Sequence, residues 1–165
     1  MHTTQERRDI RVLIADDDET ILDCYRKAFG HNERPEHRRM LDTLEAELFE
    51  PVTDVALPPL FNVVACSQGC DAINLAAMAA EEGRPFDVVI LDVRMPPGID
   101  GVEAGQQIRR LDPEVEIVFV TGYSDVARDE LERRVPPPLK LHYFNKPLSF
   151  IRLAEDVAGM VQAGT

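Results

Sequence analysis

The chain has 165 residues, 44% of them hydrophobic, and a formal net charge of −12. That length suits one domain with a real core, and the apolar content argues against global disorder. The charge argues against a broad basic face for direct nucleic-acid binding, and no apolar run approaches the roughly 20 residues that span a bilayer.

Apolar runs alternate with helical patterns along the chain. Residues Met1 to Asp9 carry no hydrophobic signal segment, so a cytoplasmic location is expected. Ile10 to Ala15 is apolar apart from Arg11, as expected of a strand covered on both faces. Asp18-Glu19-Thr20 opens a helix with Ile21, Leu22, Tyr25 and Phe29 on one side. Gly30 to Leu60 is far longer than an ordinary αβ loop. Within it, Met40, Leu41, Leu44, Leu48 and Phe49 fall near helical spacing between Pro35 and Pro51. They predict an extra helix, or an extension of the first, either as plain surface packing or as a partner or dimer surface. Phe61 to Cys66 reads as the second strand. Cys70 to Glu82 is an Ala-rich helix, with Ile73, Ala76, Ala77 and Ala80 at helical spacing, ended by Gly83-Arg84-Pro85.

Asp87 to Leu91 is the third strand, Gly101 to Leu111 a helix closed by Asp112-Pro113, and Val115 to Val120 the fourth strand. Asp125 to Arg134 predicts a short helix broken by Pro136-Pro137-Pro138. Leu141 to Asn145 is the fifth strand. Ser149 to Gln162 is the last helix, with Ile151, Leu153, Val157, Met160 and Val161 mostly inward. Five strands alternating with helices imply an α/β fold. The expected form is a doubly wound five-stranded parallel sheet in flavodoxin-like order 2-1-3-4-5, with a helical insertion between helix one and strand two. Residues 1–165 are read as a single domain with the insertion at about 30–60.

The polar residues that matter sit just past these strands. Asp16 and Asp17 follow the first, Asp92 the third, Thr121 the fourth and Lys146 the fifth. In an open parallel sheet, ligands bind outside the carboxyl ends of the strands, and order 2-1-3-4-5 sets strands one and three side by side there. Three clustered carboxylates repel one another unless a hard cation joins them. The set therefore reads as a Mg²⁺ site beside an aspartate able to accept a phosphoryl group. Alternatives accompany single residues. Asp16-Asp17-Asp18 also suits a helix cap, and Asp17-Asp18 is a second choice for the acidic pair. Cys24, Cys66 and Cys70 form no CxxC or compact His/Cys motif, so reduced structural thiols are expected rather than zinc ligands.

Five segments, in order, resemble response-regulator receiver domains of two-component signalling. They are Val12 to Asp18, Val88 to Pro96, Asp100-Gly101, Val118 to Gly122 and Asn145-Lys146-Pro147. The resemblance implies that Asp92 is the phosphoacceptor and that Mg²⁺ is held by Asp17, Asp92 and the Arg94 backbone carbonyl, with Asp16 acting through water. It implies that Lys146 contacts a phosphoryl oxygen and that Thr121 moves to bond another. Tyr143 occupies the position of the aromatic switch, although a plain core role suits it equally. It further implies a surface of helix four, strand five and helix five that changes on phosphorylation, and a cis Lys146-Pro147 bond. The implied partners are a sensor histidine kinase or phosphotransfer protein, and a downstream protein target or fused output domain; a homodimer is left open. The activity implied is phosphoryl acceptance and slow autodephosphorylation, not enzyme turnover on a separate substrate.

The chain departs from the family pattern in three places. The loop Met95 to Gly101 carries one extra residue, the Gly30 to Leu60 stretch is inserted, and Arg94 and Tyr123 stand where side chains flank the phosphoryl group. Those two predict slow loss of phosphate by shielding it from water. An aspartate-nucleophile phosphatase is disfavoured, because Arg94 stands where that chemistry wants a second Asp. The remaining alternative is a pseudo-receiver, an interaction module that works without phosphorylation. The end at Thr165 suits either a stand-alone receiver or a piece of a longer regulator.

Overall fold

The computed structural model describes residues 9–30, 59–122 and 126–163. Five strands, β1 (Asp9–Ala15), β2 (Leu60–Cys66), β3 (Val88–Asp92), β4 (Glu116–Thr121) and β5 (Leu141–Asn145), form one parallel sheet in the order β2-β1-β3-β4-β5. The order is the one expected from the alternation. The expected insertion, with its helix between Pro35 and Pro51, lies outside the described residues.

Strand parity divides the core. Leu13, Ala15, Val89, Leu91, Ile117 and Phe119 face α2 (Gly69–Glu81), α3 (Gly101–Leu111) and α4 (Arg128–Arg134). Ile10, Val12, Ile14, Val88, Ile90, Val118 and Val120 face α1 (Glu19–Gly30) and α5 (Phe150–Ala163). Alternate residues are buried on opposite faces, which explains why the strands read as continuous apolar runs instead of alternating ones. On the α1/α5 face, the Tyr25 and Phe150 rings meet edge-on at 4.8 Å.

The helix ends follow local chemistry. Asp100 caps α3 by accepting the Glu103 N–H at 2.7 Å, and Ser149 Oγ accepts the Arg152 N–H ahead of α5. Helix α2 stops at Glu82, and Gly83 follows with φ +68°, a backbone region that costs glycine no steric clash. Arg109 is buried, and its guanidinium donates to the carbonyls of Pro113, Val115 and Lys140. This ties the end of α3 to the starts of β4 and β5. Burial lowers the Arg109 pKa, while Glu116, Asp112 and Glu114 oppose that shift. No helix among the described residues is long and apolar enough to cross a membrane.

Three expectations are corrected. The buried seam of α2 is Ala72, Ala76 and Ala79, while Ala77 is half-buried and Ala80 exposed. Alanine stands on nearly every side of this helix, so its spacing leaves the rotation open. Ile151 is 60% exposed, because the inward stripe runs through Leu153, Ala154, Val157 and Val161 and Ile151 lies about 200° round from Leu153. Helix α4 begins at Arg128, after Ala127 in extended backbone, and places Asp129 and Glu130 in its first turn where the helix dipole favours them. Asp125 lies outside the described residues.

Candidate phosphoacceptor site

The carboxyl ends of β1, β3, β4 and β5 converge on one polar site. Asp16 follows β1 and is 1% exposed; Asp92 ends β3 at 7% and Thr121 ends β4 at 8%. Backbone bonds beyond the strands set the positions. The Asp16 N–H donates to Cys66 at 3.2 Å, Val93 to Val120 at 3.1 Å, and Lys146 to Thr121 at 2.8 Å. That last bond holds Lys146 at the sheet edge, and the Lys146–Pro147 peptide is cis, as the family resemblance implies.

Lys146 Nζ lies 3.2 Å from Asp16 Oδ2 and 3.2 Å from Asp92 Oδ1. Burial would lower the Lys146 pKa, but the charges of Asp16 and Asp92 outweigh it and hold the ammonium above its ordinary value. Asp16 Oδ1 accepts the Asp18 N–H at 3.0 Å, so both its oxygens are engaged. Asp18 instead accepts the Thr20 N–H at 2.8 Å and its carbonyl accepts the Leu22 N–H, the role of a cap for α1. The structure thus joins Asp16 and Asp17, not Asp17 and Asp18, to Asp92.

One carboxylate oxygen from each of Asp16, Asp17 and Asp92 lies within 4.8 Å of the others. Asp17 is the exposed member, open to a hydrated ion. Burial pushes the Asp92 carboxyl up to about 6; Lys146 opposes the shift, while Asp16 and Asp17 add to it. One ammonium does not balance three carboxylates, and an all-oxygen donor set of this charge suits Mg²⁺. The residues present therefore fit the ion.

The raised Asp92 pKa carries a sign for stability. The folded state holds the proton more tightly than the unfolded chain, so this group's contribution is full below about 4 and lost as pH rises through about 6. In EDTA, Asp92→Asn should stabilise the protein at pH 7 relative to wild type. The expected gain is on the order of 1–2 kcal/mol after allowance for solvent screening, and it should shrink towards pH 4. Denaturant melts of both proteins at the two pH values check this; a gain that does not change with pH would contradict it.

Tyr143 stands on the same sheet face as Thr121, since Phe119 is its register partner and strand parity repeats every second residue. Its ring packs against the α2/α3/α4 core, its hydroxyl is buried without a hydrogen-bond partner, and Arg128 lies 4.9 Å from the ring centroid. Burial, then the charge of Glu132, pushes the phenol up to about 12. Arg94 is exposed two residues past Asp92. Tyr123, its expected companion, lies outside the described residues.

Residues 52–157 match the family model for the response regulator receiver domain. The chain belongs to that family. The match begins after β1, so the acidic pair lies outside the matched residues and joins them through the pairing of β1 with β2 and β3. An uncharacterized response regulatory protein of Vibrio cholerae is 32% identical over 123 residues, 74% of this chain and 40% of that protein. The sensor kinase CckA of Brucella abortus is 30% identical over 102 residues, 62% of this chain and 10% of the kinase. The receiver thus spans well under two thirds of either relative. A response regulator receiver protein from Sinorhizobium medicae shares the fold, with a TM-score of 0.63 and 22% identity, covering 96% of this chain and 98% of that one. Receivers are switch modules of two-component systems rather than enzymes.

Two residues escaped the sequence reading in their roles. Asn145 stands inside a quoted motif, yet its side chain accepts a hydrogen bond from Thr121, which no spacing rule announces. Arg128 stacks on Tyr143, joining α4 to β5.

Proposed function

We propose that this receiver accepts a phosphoryl group on Asp92 from a phosphohistidine and converts it into a changed protein-interaction surface. The observation that carries the reading is a buried carboxylate 3.2 Å from the Lys146 ammonium, within reach of two further carboxylates. A carboxylate oxygen of Asp92 attacks phosphorus in line, a P–O bond forms, and the P–N bond of the donor breaks. The imidazole leaves with the electron pair and takes its proton from solvent. Lys146 draws a phosphoryl oxygen into place as a compact cation. Asp17, Asp92 and the Arg94 carbonyl would hold Mg²⁺, with Asp16 acting through water, and the ion would supply positive charge against the carboxylates and the transferred group.

Thr121 then donates to a phosphoryl oxygen, and Tyr143, behind it on the same face, responds to the vacated space. The surface of α4, β5 and α5 shifts its population accordingly. The donor is a sensor histidine kinase or phosphotransfer protein; the likeness to a sensor kinase supports a kinase-linked role. A protein target or a fused output domain receives the signal.

Intact mass after incubation with acetyl phosphate tests the reading. One added phosphoryl group with Mg²⁺, and none in EDTA, is the expected result. If no adduct forms, and Mg²⁺ with beryllofluoride leaves the melting temperature unchanged, the pseudo-receiver reading replaces this one.

A further inference from the structure

The hydroxyl of Thr121 carries a single proton to donate. In this structure it donates to Asn145 Oδ1 at 3.2 Å. The two residues are register partners at the ends of β4 and β5. The Lys146 N–H bond to the Thr121 carbonyl, 2.8 Å long, locks the backbones on which both side chains stand. The contact is therefore held by the sheet itself. Thr121 is 8% exposed, whereas Asn145 is exposed. The Thr121 proton is thus committed towards the rim of β5.

We infer that Asn145 is a positioning residue that competes with the phosphoryl group for the one hydrogen bond Thr121 can donate. The inference rests on the reading of Asp92 as phosphoacceptor. The competition has a defined sense. A neutral amide oxygen is a weaker acceptor than a charged phosphoryl oxygen, whose hydrogen bonds are roughly twice as strong. Phosphorylation draws the proton away from Asn145, and its loss returns it. Asn145 sets the resting bias: it lowers the affinity for a phosphoryl group or its mimic without touching it.

The experiment is a double-mutant cycle read by calorimetric titration of beryllofluoride in Mg²⁺. Asn145→Ala should tighten the Kd by about 2- to 12-fold, the worth of one net neutral hydrogen bond. In a Thr121→Val background, where there is no proton to compete for, the same change should leave the Kd unmoved. A purely structural effect of Asn145 would appear equally in both backgrounds and would overturn the inference. So would an unchanged or weakened Kd for Asn145→Ala alone. If the wild type binds no beryllofluoride, or Asp92→Asn binds it as well as wild type, the Asp92 reading fails and takes the inference with it.

Discussion

Asp92→Asn should abolish the phosphoryl adduct, whereas Lys146→Ala should only slow its formation. An amide oxygen has too little electron density to attack phosphorus, and the neighbouring carboxylates are poor substitutes. Both oxygens of Asp16 are engaged, one by the Asp18 N–H and one by Lys146. Asp17 is exposed and solvated. Removing Lys146 leaves the nucleophile in place but takes away the cation 3.2 Å from it. Loss of one preorganised electrostatic partner typically costs 10²–10³-fold in rate. The Lys146 side chain is 33% exposed, so the expected slowing is smaller, about 10- to 10²-fold. A time course of intact mass with acetyl phosphate and Mg²⁺ distinguishes the two. A full adduct on Asp92→Asn would move the acceptor to another residue.

Gly101→Ala should damage both fold and site. An added Cβ would lie 2.0 Å from the Asp92 carbonyl oxygen and 2.9 Å from its carbon, both backbone atoms that cannot rotate aside. Gly101 also donates its N–H to the Val93 carbonyl at 2.9 Å, so α3 starts directly against the loop that follows the acceptor. Either α3 lifts away or Asp92 moves. The expected loss is about 3 kcal/mol, roughly 6–12 °C in Tm, together with slower phosphorylation below the transition. Gly159→Ala serves as the comparison. Nothing lies within 4 Å of its added Cβ in the middle of α5, so it should gain roughly 0.5–1 kcal/mol. Equal melting temperatures for Gly101→Ala and wild type would show that α3 yields at no cost.

The proposed phosphorylation exchanges one set of electrostatic problems for another. The Asp92 carboxyl is raised first by burial, with Asp16 and Asp17 adding to the shift against Lys146. Two hydroxyls near it are poorly placed at rest. Thr121 is spent on Asn145, and the Tyr143 hydroxyl is buried without a partner, at a cost of about 1–3 kcal/mol for such a group. Arg128 over the Tyr143 ring offsets part of that cost. In the proposed switch, a change at Thr121 would act on Tyr143, whose hydroxyl lacks a partner.

The five strands, their order and the four strand ends that carry Asp16, Asp92, Thr121 and Lys146 were legible in the amino-acid sequence. Buried parallel strands need unbroken β-branched and aliphatic runs, and the polar residue that ends each run marks the point where the chain leaves the core. Asp18 and Gly83 were likewise readable, because capping chemistry is local. Other features depend on what stands across from a residue. The seam of α2 could not be phased from its alanines, since a methyl fits either side and the α3 and sheet surfaces choose Ala72, Ala76 and Ala79. Ile151 keeps an apolar side chain in water because its helix had already spent its inward face on Leu153 and Val157. The need for glycine at 101, the burial of Arg109 among carbonyls and the Thr121–Asn145 bond arise between elements that the chain brings together only by folding. Local sequence sets where strands end; only the packed sheet decides which side chains meet there.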